Sequence, residues 1–241
     1  MKVTTYFRAV IFLTFFSGSI TVYGQARVKA IQNGANTELY FNRAVMAPTY
    51  NEVIGSPYLY EDFLPAKVNN IPNTHFIRFN VFDNNIEYKG QDNIIYAMAK
   101  SYDYVIELLD GSNRIFETHA YFDDKKDILK TFFEKKYNDD NFGLYLKEMI
   151  DYTPVKLAKT SFEQNRPAKF TKIKGTYYFQ NLKTKSKELL ELPKREKLFL
   201  KQFDADALAL KNFIKKEGLN ISKESHLIRI LEFYFAQIGD K

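Results

Sequence analysis

The chain has 241 residues, 45% hydrophobic, 16% aromatic and 27% charged, and a formal net charge of +6. That is apolar mass enough for one large domain or two small ones, and only ten Gly and seven Pro exclude a collagen-like, linker-dominated or disordered chain. The lack of any cysteine excludes disulfides, thiolate zinc sites, iron–sulfur clusters and cysteine nucleophiles, and also a lipoprotein anchor, which needs a Cys at the first mature position.

Residues 1–24 have the three parts of a secretory signal. Lys2 and Arg8 give a positive start, Ala9 to Phe16 an apolar run, and Val22-Tyr23-Gly24 small or apolar residues before a cut placed between Gly24 and Gln25. The apolar run is about half of what a spanning helix requires, and no later stretch approaches that length. The expectation is a cleaved signal and an exported, soluble mature chain, periplasmic or surface-associated. Removing two basic residues lowers the net charge from +6 to +4, and the remainder is polarised. Residues 25–155 carry 14 Lys/Arg against 19 Asp/Glu, residues 156–201 carry 13 against 4, and residues 202–241 are balanced, so the basic character lies in one segment.

From Gln25 to about Ala47 the chain is polar, with a short apolar run near Leu39 to Phe41 that fits an arm or a first strand. Gly55-Ser56-Pro57 then opens a β-patterned region. His75 to Val81 reads as a strand, Phe82-Asp83-Asn84-Asn85 as a turn and Ile86 to Lys89 as the returning strand. The strongest hairpin signal joins Tyr104–Leu109 to Arg114–Tyr121 through Asp110-Gly111-Ser112-Asn113. Ile128 to Lys136 and Phe142 to Val155 are assigned as strands around the turn Asn138-Asp139-Asp140-Asn141, although their periodicity also suits helix. Lys169–Ile173 and Thr176–Phe179 form a last hairpin about Lys174-Gly175. After Ser186 the period lengthens. Ser186 is expected to cap a short helix carrying Leu189, Leu190 and Leu192 and ended by Pro193, Lys194 to Phe203 carries Leu198, Phe199 and Leu200, and Asp204 and Ser222 cap two further helices. The fold expected is α+β: an antiparallel β-rich region over 25–185 with a small carboxy-terminal helical cluster, 186–241, packed on it.

No motif carries chemistry outright. His75, His119 and His226 have no partner at a metal spacing and read as structural or surface residues. Ser56 lacks a nucleophile elbow, and no phosphate-binding glycine loop occurs, so no nucleotide cofactor is expected. The adjacent acids are Glu61-Asp62, Asp123-Asp124 with Asp127, and Asp139-Asp140. The second group has lysines inside it and lacks a calcium loop's Gly and Glu, so it reads as a solvated turn. Two acids brought together by the fold would suffice for a glycosidase, which keeps a hydrolase reading open. The basic stretch 156–201 interleaves Phe162, Phe170, Tyr177, Tyr178 and Phe179, a composition that suits single strands of nucleic acid in the cytoplasm. Export points away from that partner and towards acidic sugars, lipid phosphates or acidic protein faces, with plain surface solubility as the simpler account.

Gly55-Ser56-Pro57-Tyr58-Leu59 with Phe63, Ile77-Arg78-Phe79-Asn80-Val81-Phe82 with Ile86-Glu87-Tyr88, Lys174-Gly175-Thr176-Tyr177-Tyr178, and Ser186 to Leu190 before a helical tail together resemble a family of exported, signal-peptide-bearing proteins of Bacteroidota. The resemblance covers roughly residues 50–235. It implies a β-rich protein with helices at its end and implies no activity. The functional expectation is therefore an exported, non-enzymatic module acting as an envelope accessory through protein contacts. The alternative is a carbohydrate- or glycolipid-binding module using exposed Tyr and the 156–201 lysines, and third stands a hydrolase with paired carboxylates. No catalytic residue, metal or cofactor is assigned, and the partners in view are an envelope protein or an acidic glycan.

Overall fold

Branched and aromatic residues at alternate positions commit far more of the chain to strands than to helices. The computed structural model describes residues 27–30, 37–44, 53–90, 93–123, 125–160 and 162–237, so the predicted signal and its cut at Gly24 lie outside the described residues. Twelve strands follow in order: β1 Arg27–Ala30, β2 Thr37–Ala44, β3 Leu64–Val68, β4 His75–Asn80, β5 Asn85–Lys89, β6 Ile95–Met98, β7 Val105–Leu108, β8 Ile115–Phe122, β9 Ile128–Asn138, β10 Phe142–Thr153, β11 Lys169–Asn181 and β12 Leu190–Glu191. Three helices close the chain, α1 Glu196–Lys201, α2 Ala207–Lys216 and α3 Glu224–Gln237. The strands form one antiparallel sheet ordered β1-β2-β6-β5-β4-β3-β7-β8-β9-β10-β11-β12. The α+β, strand-rich expectation is thus met.

The hairpin over 104–121 forms with Ile106 opposite Phe116. The two segments of ambiguous period become β9 and β10, because each finds long antiparallel partners on both sides. Two local expectations fail for the same reason. Lys174-Gly175 is no turn: it sits inside the continuous β11, where the register against β10 shifts between Lys147 and Met149. The two residues oppose Glu148 in a bulge, and a Cβ on Gly175 would lie 2.6 Å from the Lys147 carbonyl oxygen, so only glycine lets the strands stay close there. The expected helix after Ser186 is instead β12, with Leu190 and Glu191 paired to Phe179 and Tyr178. A helix confined between Ser186 and Pro193 would be too short to repay nucleation, and the edge of β11 supplies hydrogen bonds without that cost. The helical starts also move. Asp204 opens a 3-10 turn, Asp204–Asp206, ahead of α2, and α3 begins two residues beyond Ser222.

Paired residues of neighbouring strands share a face, so one inner face runs across Phe116, Glu134, Leu146 and Tyr177 of β8 to β11. Two apolar clusters occupy that face. One gathers Val68, Ile77, Phe79, Ile86, Ile106, Phe116 and Phe132 from strands between β3 and β9. The other packs Phe142, Leu144 and Phe179 beneath Phe199, Leu210, Leu227, Ile230, Leu231 and Phe235 of the helices. On the outer face Tyr121, Phe133, Tyr145 and Tyr178 close around Leu189. β12 pairs with only two residues of β11, and towards its start β11 receives a single parallel bridge from Ile54 to Lys169. Lys169, Lys172 and Lys174 are exposed along the intervening edge, and the bulge bends it, two devices that blunt an open strand.

Candidate interaction surface

The acids that stand side by side in sequence lie in turns, where their oxygens hold local backbone. The Asp123 carboxylate accepts the N–H of Lys125 and of Asp127, at 2.9 and 2.8 Å. That of Asp139 accepts those of Asn141 and Phe142, at 2.7 and 2.8 Å, while Asp140 and the Glu61-Asp62 pair are exposed. Ser56 Oγ likewise accepts the Tyr58 N–H. The histidines are structural and separate. His226 Nδ1 accepts the Asn220 N–H ahead of α3, and His119 lies 3.0 Å from Glu117 Oε2 and against the Tyr145 ring. Among the described residues no group of three His, Asp or Glu is placed to hold a metal.

His75 is buried on β4 at the edge of the Tyr88 ring, its Nε2 has no hydrogen-bond partner, and burial lowers its pKa. A histidine held neutral by burial stabilises the fold fully above its unfolded pKa, and that contribution is lost as pH falls below about 6.5. Urea midpoints are therefore expected to drop between neutral pH and about pH 5, and the drop should shrink in His75→Phe. An unchanged pH slope in that variant would count against this assignment.

The buried carboxylates are others, none with an acid next to it in sequence. Glu134 of β9 takes two hydrogen bonds from Arg114, one from Nε at 2.9 Å and one from Nη2, and Nη2 also reaches Glu148 Oε1 at 3.1 Å. Arg114 Nη1 donates to Tyr60 Oη at 2.7 Å, Lys136 Nζ donates to Glu134 Oε1 at 2.7 Å, and Lys136 and Lys172 approach Glu224 and Glu148 at 3.7 and 3.9 Å. Burial opposes the Arg114 charge, but the Glu134 contacts outweigh it and raise the pKa. Three cations thus balance three carboxylates on the inner face, between the two apolar clusters. Glu134 and Glu148 are brought together by the fold, with one guanidinium bound to both.

A second clasp joins Arg78 to Glu87, cross-strand neighbours on β4 and β5, with Nε–Oε2 3.1 Å and Glu87 fully buried. The guanidinium lies 3.7 Å from the Tyr58 ring centre and 4.6 Å from that of Phe63. Pro57 and Leu59 bond the backbone of Val81 and Phe79. Residues of the Gly55–Leu59 and Ile77–Tyr88 stretches thereby meet in one place. The cleft beside them, between Leu59, Tyr60, Leu64, Ile77 and Phe116, has room for about one water.

The basic stretch does not form one patch. Lys156, Lys159 and Arg166 precede β11 and Lys183, Lys185 and Lys187 follow it, so the thirteen-residue strand sets the groups roughly 40 Å apart. Of the five interleaved aromatics, Phe170, Tyr178 and Phe179 are buried and Tyr177 is half-buried, its hydroxyl donating to Glu224. Phe162 differs: it is 96% exposed.

Phe162 stands at the tip of an arm. Beyond the sheet the described residues 154–160 and 162–168 continue from β10 to β11 as a ribbon, tied by Lys156 N–H to Arg166 O at 2.9 Å and the reciprocal bond at 2.8 Å. Asn165 Oδ1 accepts the Ala158 N–H, and the Glu163 N–H bonds Thr160 O to turn the chain. Val155 and Leu157 on the ribbon are 58% and 66% exposed. At its base Phe82 and Tyr152, both exposed, pack with Phe170 at ring separations of 5.0–5.9 Å, and exposed Ile54 bonds the backbone of Ala168 and Phe170. Lys156, Lys159, Arg166 and Lys169 rim this end, all exposed and none ion-paired with a described residue. The helices cover the opposite end of β10, where Phe142 stacks on Phe235. In sequence the arm is visible only as part of the basic stretch, because the composition of Val155 to Phe162 does not distinguish it from core. No protein-family model, curated protein or solved structure matches the chain.

Proposed function

We propose that the protein is an exported, non-enzymatic module of the cell envelope that works by docking the 154–168 arm and its base onto a partner. The amino-terminal pattern of residues 1–24 supports export. The observation that carries docking is the arm itself: six apolar side chains, Ile54, Phe82, Tyr152, Val155, Leu157 and Phe162, are exposed at one end of the molecule inside a rim of cations. A phenylalanine left in water adds nothing to folding, whereas an apolar patch with a polar rim is the usual form of an interaction site. A photo-crosslinking residue placed at Phe162 or Leu157 in the producing cells should trap envelope components far more than one at Leu208, which is as exposed as Leu157 but lies on α2. Equal trapping from the three positions would refute arm-directed docking. Hydrolysis of a glycan, ester or peptide by the purified chain, abolished by a carboxylate substitution, would refute the non-enzymatic reading.

A further inference from the structure

The docking end has a composition that selects among partners. Its apolar groups are not a flat plate: Phe162 caps a two-stranded ribbon one hairpin wide, Leu157 and Val155 follow at lower levels, and Tyr152 and Phe82 lie at the base. A protein interface of ordinary stability needs a broad complementary surface on each side, which a ribbon tip does not present. A fluid apolar phase needs no complementarity of shape and accepts side chains at graded depth. The charges match as well. On the ribbon Lys156, Lys159 and Arg166 outnumber the one acid, Glu163, while at its base exposed Lys169 is joined by exposed Asp151, so the net positive charge lies on the ribbon, just behind its apolar end. Cations at that level meet lipid phosphates while an aromatic tip enters the acyl boundary, and ring-bearing residues such as Tyr152 favour the headgroup layer.

We infer that the arm is a lipid-insertion device: Phe162, with Leu157 and Val155 behind it, enters the surface of an anionic phospholipid bilayer, and Lys156, Lys159, Arg166 and Lys169 hold the headgroup phosphates. This rests on the docking reading above and names its occupant. It also gives Lys156, Lys159 and Arg166 of the arm, with Lys169 at its base, a common role.

The chain contains no Trp, so Phe162→Trp supplies a single indole reporter at the tip, and Leu208→Trp a matching one on α2. The full exported chain is mixed with vesicles of phosphatidylcholine, with vesicles containing phosphatidylglycerol, and with soluble polyglutamate. Expected are a blue shift of the Phe162→Trp emission on the anionic vesicles alone, loss of that shift at high salt, and no shift for Leu208→Trp. In flotation, Phe162→Ser should weaken binding by about tenfold or more. Lys156→Gln and Lys159→Gln should each weaken it about fivefold, on anionic vesicles only. Both kinds of substitution lie on exposed positions, and unchanged urea midpoints would confirm that folding is intact. No vesicle binding at low salt, equal shifts at both positions, or preference for polyglutamate would overturn lipid insertion. If vesicles fail while photo-crosslinks from Phe162 in cells remain arm-specific, docking stands and the lipid occupant falls; if the crosslinks fail too, both fall.

Discussion

Replacing Arg114 by alanine is expected to lower stability by about 3–5 kcal/mol. The side chains of Glu134 and Glu148 are 3% and 9% exposed, and the guanidinium binds both. Without it two carboxylates remain on the inner face with Lys136 and Lys172 as distant or partial substitutes, and an unpaired buried charge is what makes breaking such a pair costly. A loss of this size corresponds to a fall of roughly 10 °C in Tm for a chain of this length. The informative comparison is Lys130→Ala, which breaks a 2.5 Å pair with Asp103, whose side chain is 93% exposed. An exposed pair is worth at most about 1 kcal/mol. Urea denaturation of both variants checks the contrast, and an Arg114→Ala midpoint no lower than that of Lys130→Ala would contradict the network as described.

The second large effect is expected at Gly55. Its φ of +81° is left-handed, and a Cβ there would lie 2.5 Å from the Phe170 carbonyl oxygen, so alanine meets both conformational strain and a backbone collision. Together these should cost on the order of 3 kcal/mol. Gly111 separates the two causes, because its φ is +84° with nothing within 4 Å of the added carbon. Gly111→Ala should therefore show the strain alone, about 1–2 kcal/mol. Chemical denaturation of the two alanine variants gives the collision as their difference, and equal losses would mean that the Ile54–Phe170 contact is looser than the geometry indicates. The collision matters beyond stability, since Gly55 adjoins the bridge that fixes the arm's base.

Much of the sheet was legible in sequence because its information is local. Asp-Gly between two branched, aromatic runs is enough for the 104–121 hairpin, and Leu208, Leu210, Phe213 and Ile214 before Gly218 are enough for α2. The failures fell where a distant strand decides. Lys174-Gly175 has turn composition, but twelve residues of β10 lie alongside and convert it into a bulge, and Leu190-Glu191 takes the free edge that β11 offers. The acids show the same division. Neighbouring Asp and Glu attract attention in a sequence, yet strands reject such pairs, so they collect in turns. The buried acids are solitary: Glu87 after Ile86, Glu134 after Phe132-Phe133, Glu148 between Lys147 and Met149. A lone Glu directly after an apolar residue in a strand, with an Arg in or next to another strand to answer it, is the signal that would have found Arg78–Glu87 and Arg114–Glu134. The arm was hidden differently. Phe162 and Phe170 have the same letter and a similar basic neighbourhood, and only the end of pairing with β10 separates a tip from a core residue.

The strand order has a consequence for how such a chain becomes ordered. Of the eleven neighbouring pairs among the described strands, nine join strands consecutive in sequence; only β2 with β6 and β3 with β7 span intervening elements. Consecutive pairs close short loops, whose entropic cost is small. The sheet is therefore a β1–β2 ribbon added to the β6 edge of two longer zippers, β3 to β6 and β7 to β12, which are sewn along one short seam where Ala66, Lys67 and Val68 meet Leu108, Glu107 and Ile106. A chain that emerges amino end first during synthesis can complete each zipper as it arrives, and the seam is where the two become one body.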